Sequence, residues 1–125
     1  MGSRGFSVVE AVIAAAIVLT GVLSLAQLAV AGARASSVSA ARSIAVLLAV
    51  DKLEDLRSRP TLASSPPNAL DRDVDGFADW PPGWTRRWSV QPLPVGTGGA
   101  VVQVSVLGAY GEAVRLTTVQ THRVD

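Results

Sequence analysis

The stretch 11–33 carries no charged side chain, and this constrains the chain more than any other feature. It is built from Ala, Val, Ile and Leu, interrupted only by Thr20, Gly21, Ser24, Gln27 and Gly32. A helix needs ~20 predominantly apolar residues to cross a bilayer core of ~30 Å, so this run is long enough to span one. Of the 125 residues 49% are hydrophobic and only 5% aromatic. That apolar excess sits in the run, and the remainder from about Pro60 is too small to bury a large core by itself. There is no cysteine, so neither a disulfide nor a thiolate metal site can staple it. The formal charge of +1 is dispersed along the chain and gives no pointer to nucleic acid.

A secretory signal places its basic residues first, then a limited apolar stretch, then a small-residue cleavage site. Here the only basic residue ahead of the run is Arg4, and the small residue stands on the other side: Gly5 comes before the apolar run, and Phe6 opens it. The segment Gly5-Phe6-Ser7-Val8-Val9-Glu10, followed by residues 11–33, resembles the cleavage and methylation motif of the type IV pilin superfamily. The resemblance implies that residues 1–5 are a leader. A prepilin peptidase would cut between Gly5 and Phe6 on the cytoplasmic side and methylate the new amino group of Phe6.

Glu10 stands out because an ionisable group in a spanning helix carries an insertion penalty of up to ~3 kcal/mol at mid-membrane. After cleavage it would be one helical turn from a positively charged terminus. The resemblance implies that its carboxylate pairs with the Phe6 ammonium, of a neighbouring subunit or its own, and fixes the axial step between helices in a fibre. The alternative is a Glu in the headgroup region of an ordinary signal anchor, where no partner is needed. Arg4 precedes the span, whereas Arg34 and Arg42 come after it, so charge alone leaves the topology open. The cleavage-motif resemblance puts the head outside the cytoplasm.

Beyond residue 33 the sequence keeps good helix formers and meets no proline until Pro60. Projected at 100° per residue, Val38, Ala41, Ala45, Leu48, Ala49, Leu53 and Leu56 share one stripe, with Ser36, Ser43, Glu54 and Ser58 opposite. This predicts a transmembrane half over 6–33 and an amphipathic half over 34–59 that packs against the head. A continuous helix of this span would reach ~80 Å. Lys52 falls inside the stripe and is expected to snorkel to its edge. Pro60 stops the helix, because it restricts the residue before it and donates no backbone hydrogen bond. The stretch Ala49-Val50-Asp51-Lys52-Leu53-Glu54-Asp55-Leu56-Arg57-Ser58-Arg59-Pro60 resembles the end of the long helix in minor pilins of the PilV type and in I-type minor pseudopilins of type II secretion.

The head, 60–125, begins with a loop over 60–84, marked by Ser64-Ser65-Pro66-Pro67-Asn68 and Trp80-Pro81-Pro82-Gly83-Trp84. Three strands are predicted at 85–91, 101–107 and 114–121, separated by the glycine-rich segments 96–99 and 108–112. Short connections favour an antiparallel meander with one face on the helix stripe. The expected fold is α+β and pilin-like: a long N-terminal helix covered by a small three-stranded antiparallel sheet.

Asp71-Arg72-Asp73-Val74-Asp75-Gly76 matches the opening D-x-D-x-D-G of a calcium loop, with Asp79 at the ninth position. Pro82 occupies the twelfth position, where a bidentate Glu belongs, so a solvated acidic turn closed by Gly76 is the expectation and no metal or cofactor is assigned. The resemblance adds that some pseudopilins bind calcium. Trp80, Trp84 and Trp88 beside Arg86 and Arg87 have the composition of a single-strand DNA platform. Adjacent strand residues point to opposite faces, however, and no basic run supports them, so nucleic acid is not an expected partner. His122 is the only histidine, and no nucleophile, thiol or phosphate loop surrounds it, so an enzyme is not expected.

Taken with the resemblance, these features imply a minor pilin or pseudopilin of a type IV pilus-like filament. Its partners would be other pilin subunits, the prepilin peptidase, the inner membrane and, indirectly, an assembly platform and its motor ATPase. It would cross the bacterial inner membrane once, with a periplasmic head, and reach a cell-surface filament on assembly. A minor pseudopilin of a type II secretion machine shares the same physics. A signal-anchored periplasmic binding module and an anchored enzyme are readings of other classes.

Overall fold

A computed structural model of the chain describes residues 7–121, 123 and 124. They form a helix, α1 (Val8–Ser58), and six strands: β1 (Thr61–Leu62), β2 (Ala78–Asp79), β3 (Thr85–Pro92), β4 (Ala100–Gly108), β5 (Gly111–Gln120) and β6 (Arg123–Val124). The architecture is α+β, with a long N-terminal helix whose later residues pack on a small antiparallel sheet. The chain divides into two compact units, Met1–Ser39 and Ala40–Asp125.

In the first unit, α1 exposes its apolar side chains all round, from Val8 at 79% to Leu28 at 69%. The helix is long and apolar enough to cross a membrane. A helix apolar on every side is stable in lipid, because all its backbone groups bond internally. The two hydroxyls in the run obey the same rule. Thr20 Oγ1 donates to the Ala16 carbonyl at 2.7 Å, and Ser24 Oγ donates to the Thr20 carbonyl at 2.8 Å.

The second unit holds the core. Ala45, Ala49 and Leu56 of α1 are buried with Leu62, Trp88, Val90, Ala100, Val102, Val104 and Val106, while Leu48 and Leu53 flank them half-buried. These helix positions belong to the stripe expected from spacing alone. Alanines at 45 and 49 carry no side chain beyond Cβ and so allow close approach to the sheet. Val102, Val104 and Val106 alternate along β4, which places all three on the helix-facing side. Each buried Val contributes ~1.5–3 kcal/mol of hydrophobic stabilisation.

The sheet has strand order β2-β3-β4-β5, and all its pairs are antiparallel. Three strands match the expected segments to within a few residues. The fourth, β2, lies in the stretch expected to be loop, where Ala78 and Asp79 pair with Arg87 and Arg86. The three-stranded expectation is corrected accordingly. Beyond these two residues no strand pairs with that edge of β3, and short pieces of chain bond to it instead: Trp88 N–H donates to the Phe77 carbonyl at 3.0 Å, and Ser65 N–H donates to the Val90 carbonyl at 2.9 Å. A second, parallel pair joins β1 to β6, with Thr61 opposite Arg123 and Leu62 opposite Val124. Between Val106 and Leu107 the β4–β5 register shifts, because Val106 faces Val114 and Leu107 faces Glu112.

Lys52 differs from its expected place. It does not reach the rim but is buried, 5% exposed, with Nζ 3.6 Å from the centre of a Trp88 ring. Asp55 and Asp79 lie 3.3 and 3.6 Å from that nitrogen. A buried ammonium needs compensation, and two carboxylates with an aromatic face supply it.

Candidate functional site

The start of α1 is organised by two residues. Ser7 Oγ accepts a hydrogen bond from the Glu10 N–H at 3.2 Å, and Glu10 Oε2 accepts one from the Ser7 N–H at 3.4 Å. This is a reciprocal capping box, which satisfies backbone donors that have no partner within the helix. The carboxylate also lies near the positive end of the helix dipole, a favourable position for an anion. Ser7 is missing from the sequence-based expectations, although Ser7-x-x-Glu10 ahead of an apolar run is itself a helix-start signature.

Glu10 and Arg34 bracket the apolar run. At 1.5 Å per residue they are separated by ~36 Å along the helix, more than the ~30 Å of a bilayer core, so both charges can lie in the interfacial layers. The candidate site is therefore a capped helix start carrying one carboxylate, succeeded by a charge-free span. Gly5 and Phe6, the expected cleavage and methylation positions, lie outside the described residues, as do Arg4 and His122.

The acidic loop takes a different role. Asp73 Oδ1 accepts from Arg87 Nε at 2.8 Å, and both Asp79 oxygens accept from Arg86 at 2.8 Å. Asp71 and Asp75 are exposed. Among the described residues no group of three or more carboxylate or imidazole side chains is placed to hold a metal ion. A D-x-D-x-D-G loop converges on a cation only if its carboxylates turn inward, and here two of the four bind arginines on β3.

The same pairings disperse the tryptophan and arginine cluster. Trp88 is in the core, Trp84 is half-buried and Trp80 is 63% exposed. Arg86 and Arg87 do point to opposite sides of β3. Arg86 also donates through Nη1 to the Leu48 carbonyl at 2.9 Å and to Asp51 at 3.0 Å, which fastens the sheet to α1. Its guanidinium pKa is raised above the ordinary value, first by the Asp79 hydrogen bonds.

Two carboxylates of the second unit are shifted. Glu112 Oε2 accepts from Ser105 Oγ at 2.6 Å and from Arg115 at 2.7 Å. The Ser105 hydrogen bond, with the help of Arg115, holds the Glu112 carboxyl below its usual range. For Asp55, burial pushes the carboxyl up, but hydrogen bonds and charge from Lys52 and Arg59 outweigh it and the net shift is downward. These groups pair within the second unit.

No family model, curated protein or solved structure matches the chain. Any functional reading therefore rests on the residues themselves.

Proposed function

We propose that this chain is a minor pilin or pseudopilin, an assembly subunit of a type IV pilus-like filament. In this reading it is cut after Gly5, N-methylated on Phe6 and held in the inner membrane by the apolar part of α1. The unit Ala40–Asp125 is its extracytoplasmic head. Other pilin subunits and the prepilin peptidase are its direct partners, and an ATP-driven platform supplies the force.

One observation carries the reading: a carboxylate stands in the first turn of α1, directly ahead of the charge-free, exposed stretch 11–33 and just after a Gly-Phe junction. In a lone helix the acid gains only the cap with Ser7 and the favourable end of the helix dipole. In a bundle of identical helices the acid gains a cationic partner, the Phe6 ammonium, and a group buried in apolar surroundings is retained only when paired.

The capping box complicates the obvious test, because Glu10→Val removes both the charge and the cap. Glu10→Gln separates them. Gln serves a capping box as well as Glu does, so the helix start is kept and only the charge is lost. The expected result is a variant that is processed and membrane-resident but does not co-purify with the filament. Breaking a buried ion pair costs ~3–5 kcal/mol, enough to exclude a subunit. Incorporation of processed Glu10→Gln at the wild-type level would overturn the pairing mechanism.

A further inference from the structure

The three polar side chains inside the charge-free run, Thr20, Ser24 and Gln27, lie on one side of the helix. At 100° per residue they fall, with Glu10 and Arg34, within an arc of about 120°. Their spacing of four and then three residues continues to Ile13 and Ile17 before them and to Ala31 after them. That is the pattern of a seam along which two helices pack at a shallow left-handed crossing. The remaining arc of the run holds apolar side chains and glycine only.

The three polar groups are not equivalent. Thr20 and Ser24 spend their O–H groups on their own backbone and can only accept further hydrogen bonds. Gln27 makes no hydrogen bond to any described residue. Its carboxamide keeps both donors and its acceptor on an exposed face beside a shallow groove lined by Leu23, Ala26, Val30, Ala31 and Arg34. With residue 22 at mid-membrane, Gln27 lies ~8 Å from the centre and well inside a hydrocarbon half-thickness of ~15 Å. An unpartnered amide at that depth is costly, and a neighbouring helix removes the cost.

We propose that the Thr20–Ser24–Gln27 side of α1 is a pairing face for a second copy of this chain within the bilayer, Gln27 bonding its counterpart. Hydrogen-bonding complementarity selects the copy. Two copies inserted with one topology bring identical groups to identical depths. A carboxamide is self-complementary, since each donates and accepts at once, and Ser24, one turn away, leaves acceptor lone pairs beside it. The like charges that also meet, Glu10 and Arg34, fall in the interfacial layers where water screens them. The proposal rests on the membrane-anchor part of the proposed function and needs neither processing nor a filament.

The test uses the purified full chain in phosphatidylcholine vesicles, with energy transfer between donor- and acceptor-labelled copies as lipid is added. Flotation with the vesicles establishes insertion. The wild-type chain should associate, and Gln27→Leu should weaken association about three- to tenfold, the range for one interhelical hydrogen-bonding site. Gln27→Asn should retain most of it, and Val22→Leu, on the opposite side, should change nothing. Because the chain has no cysteine of its own, single substitutions map the face with a thiol-reactive cross-linker. Ser24→Cys and Ala31→Cys should link, and Val18→Cys and Val22→Cys should not. An inserted chain that stays monomeric, associates equally well as Gln27→Leu or links equally on both sides overturns this proposal alone. A chain that does not float overturns the anchor reading with it.

Discussion

Arg86 should be the most costly single polar side chain to remove from the head. It stands on β3, its side chain is 12% exposed, and it joins three parts of the unit. Its fork binds both oxygens of Asp79 at 2.8 Å, and Nη1 bonds the Leu48 carbonyl and Asp51 of α1 at 2.9 and 3.0 Å. The Asp51 contact adds little, since that carboxylate is 76% exposed and surface pairs contribute ~0–1 kcal/mol. The bidentate pair with Asp79 dominates. Removing one member of a buried pair costs ~3–5 kcal/mol, and Asp79, 34% exposed with Lys52 still 3.6 Å away, brings the figure to the lower end. Arg86→Met, which keeps the aliphatic stem, should therefore lose ~3 kcal/mol, or a Tm drop of about 12–24 °C for a domain of this size. Arg86→Lys should recover only part of this, because an ammonium cannot present the planar fork. Urea denaturation of the fragment beginning at Ala40, monitored by tryptophan fluorescence, measures both. If Arg86→Met falls within ~1 kcal/mol of wild type, the arginine is a surface ornament and the fastening of sheet to helix is apolar alone.

Two further outcomes concern the head. Glu112 has its folded-state pKa held below the reference 4.5, so its stabilising contribution is full above that pH and is lost as pH falls through the lowered value. Wild type and Glu112→Gln should therefore differ in Tm at pH 7 and converge in acid; a gap unchanged down to pH ~2 would contradict the Ser105 and Arg115 pairing. Gly108 has no room for a methyl group, because a Cβ there would lie 2.9 Å from Cζ3 of Trp84. Gly108→Ala should destabilise the fragment by ~1–3 kcal/mol with a shifted Trp84 fluorescence, and an unchanged Tm would show that the ring yields freely.

What the sequence conveys divides by range. The stop at Pro60, the Ala45–Ala49–Leu56 stripe and the strands around Val90, Val104 and Leu116 are periodic or local signals, and the structure contains all of them. β2 has only two residues, too few for alternation to register, and the β1–β6 pair joins Leu62 to Val124 across most of the head, where no local pattern speaks. Alternation puts Arg86 and Trp88 on one side of β3, yet nothing local announces that Asp79 answers Arg86 while Asp73 answers Arg87. The spacing of the loop leaves a solvated turn as the expectation; in the fold Arg87 and Arg86 take Asp73 and Asp79, while Asp71 and Asp75 stay exposed. Lys52 shows the same limit, since a stripe position gives burial but not the two carboxylates and the indole that make burial tolerable. Conversely, the Ser7-x-x-Glu10 cap is fully local.

The central claim, that this chain is a processed filament subunit, is tested most directly by the intact mass and amino-terminal sequence of the protein recovered from membranes of cells that make a prepilin peptidase. The expected product begins at Phe6 and carries one added methyl group on its amino nitrogen. A mature protein that keeps Met1–Gly5, or is cut beyond the apolar run, would contradict it.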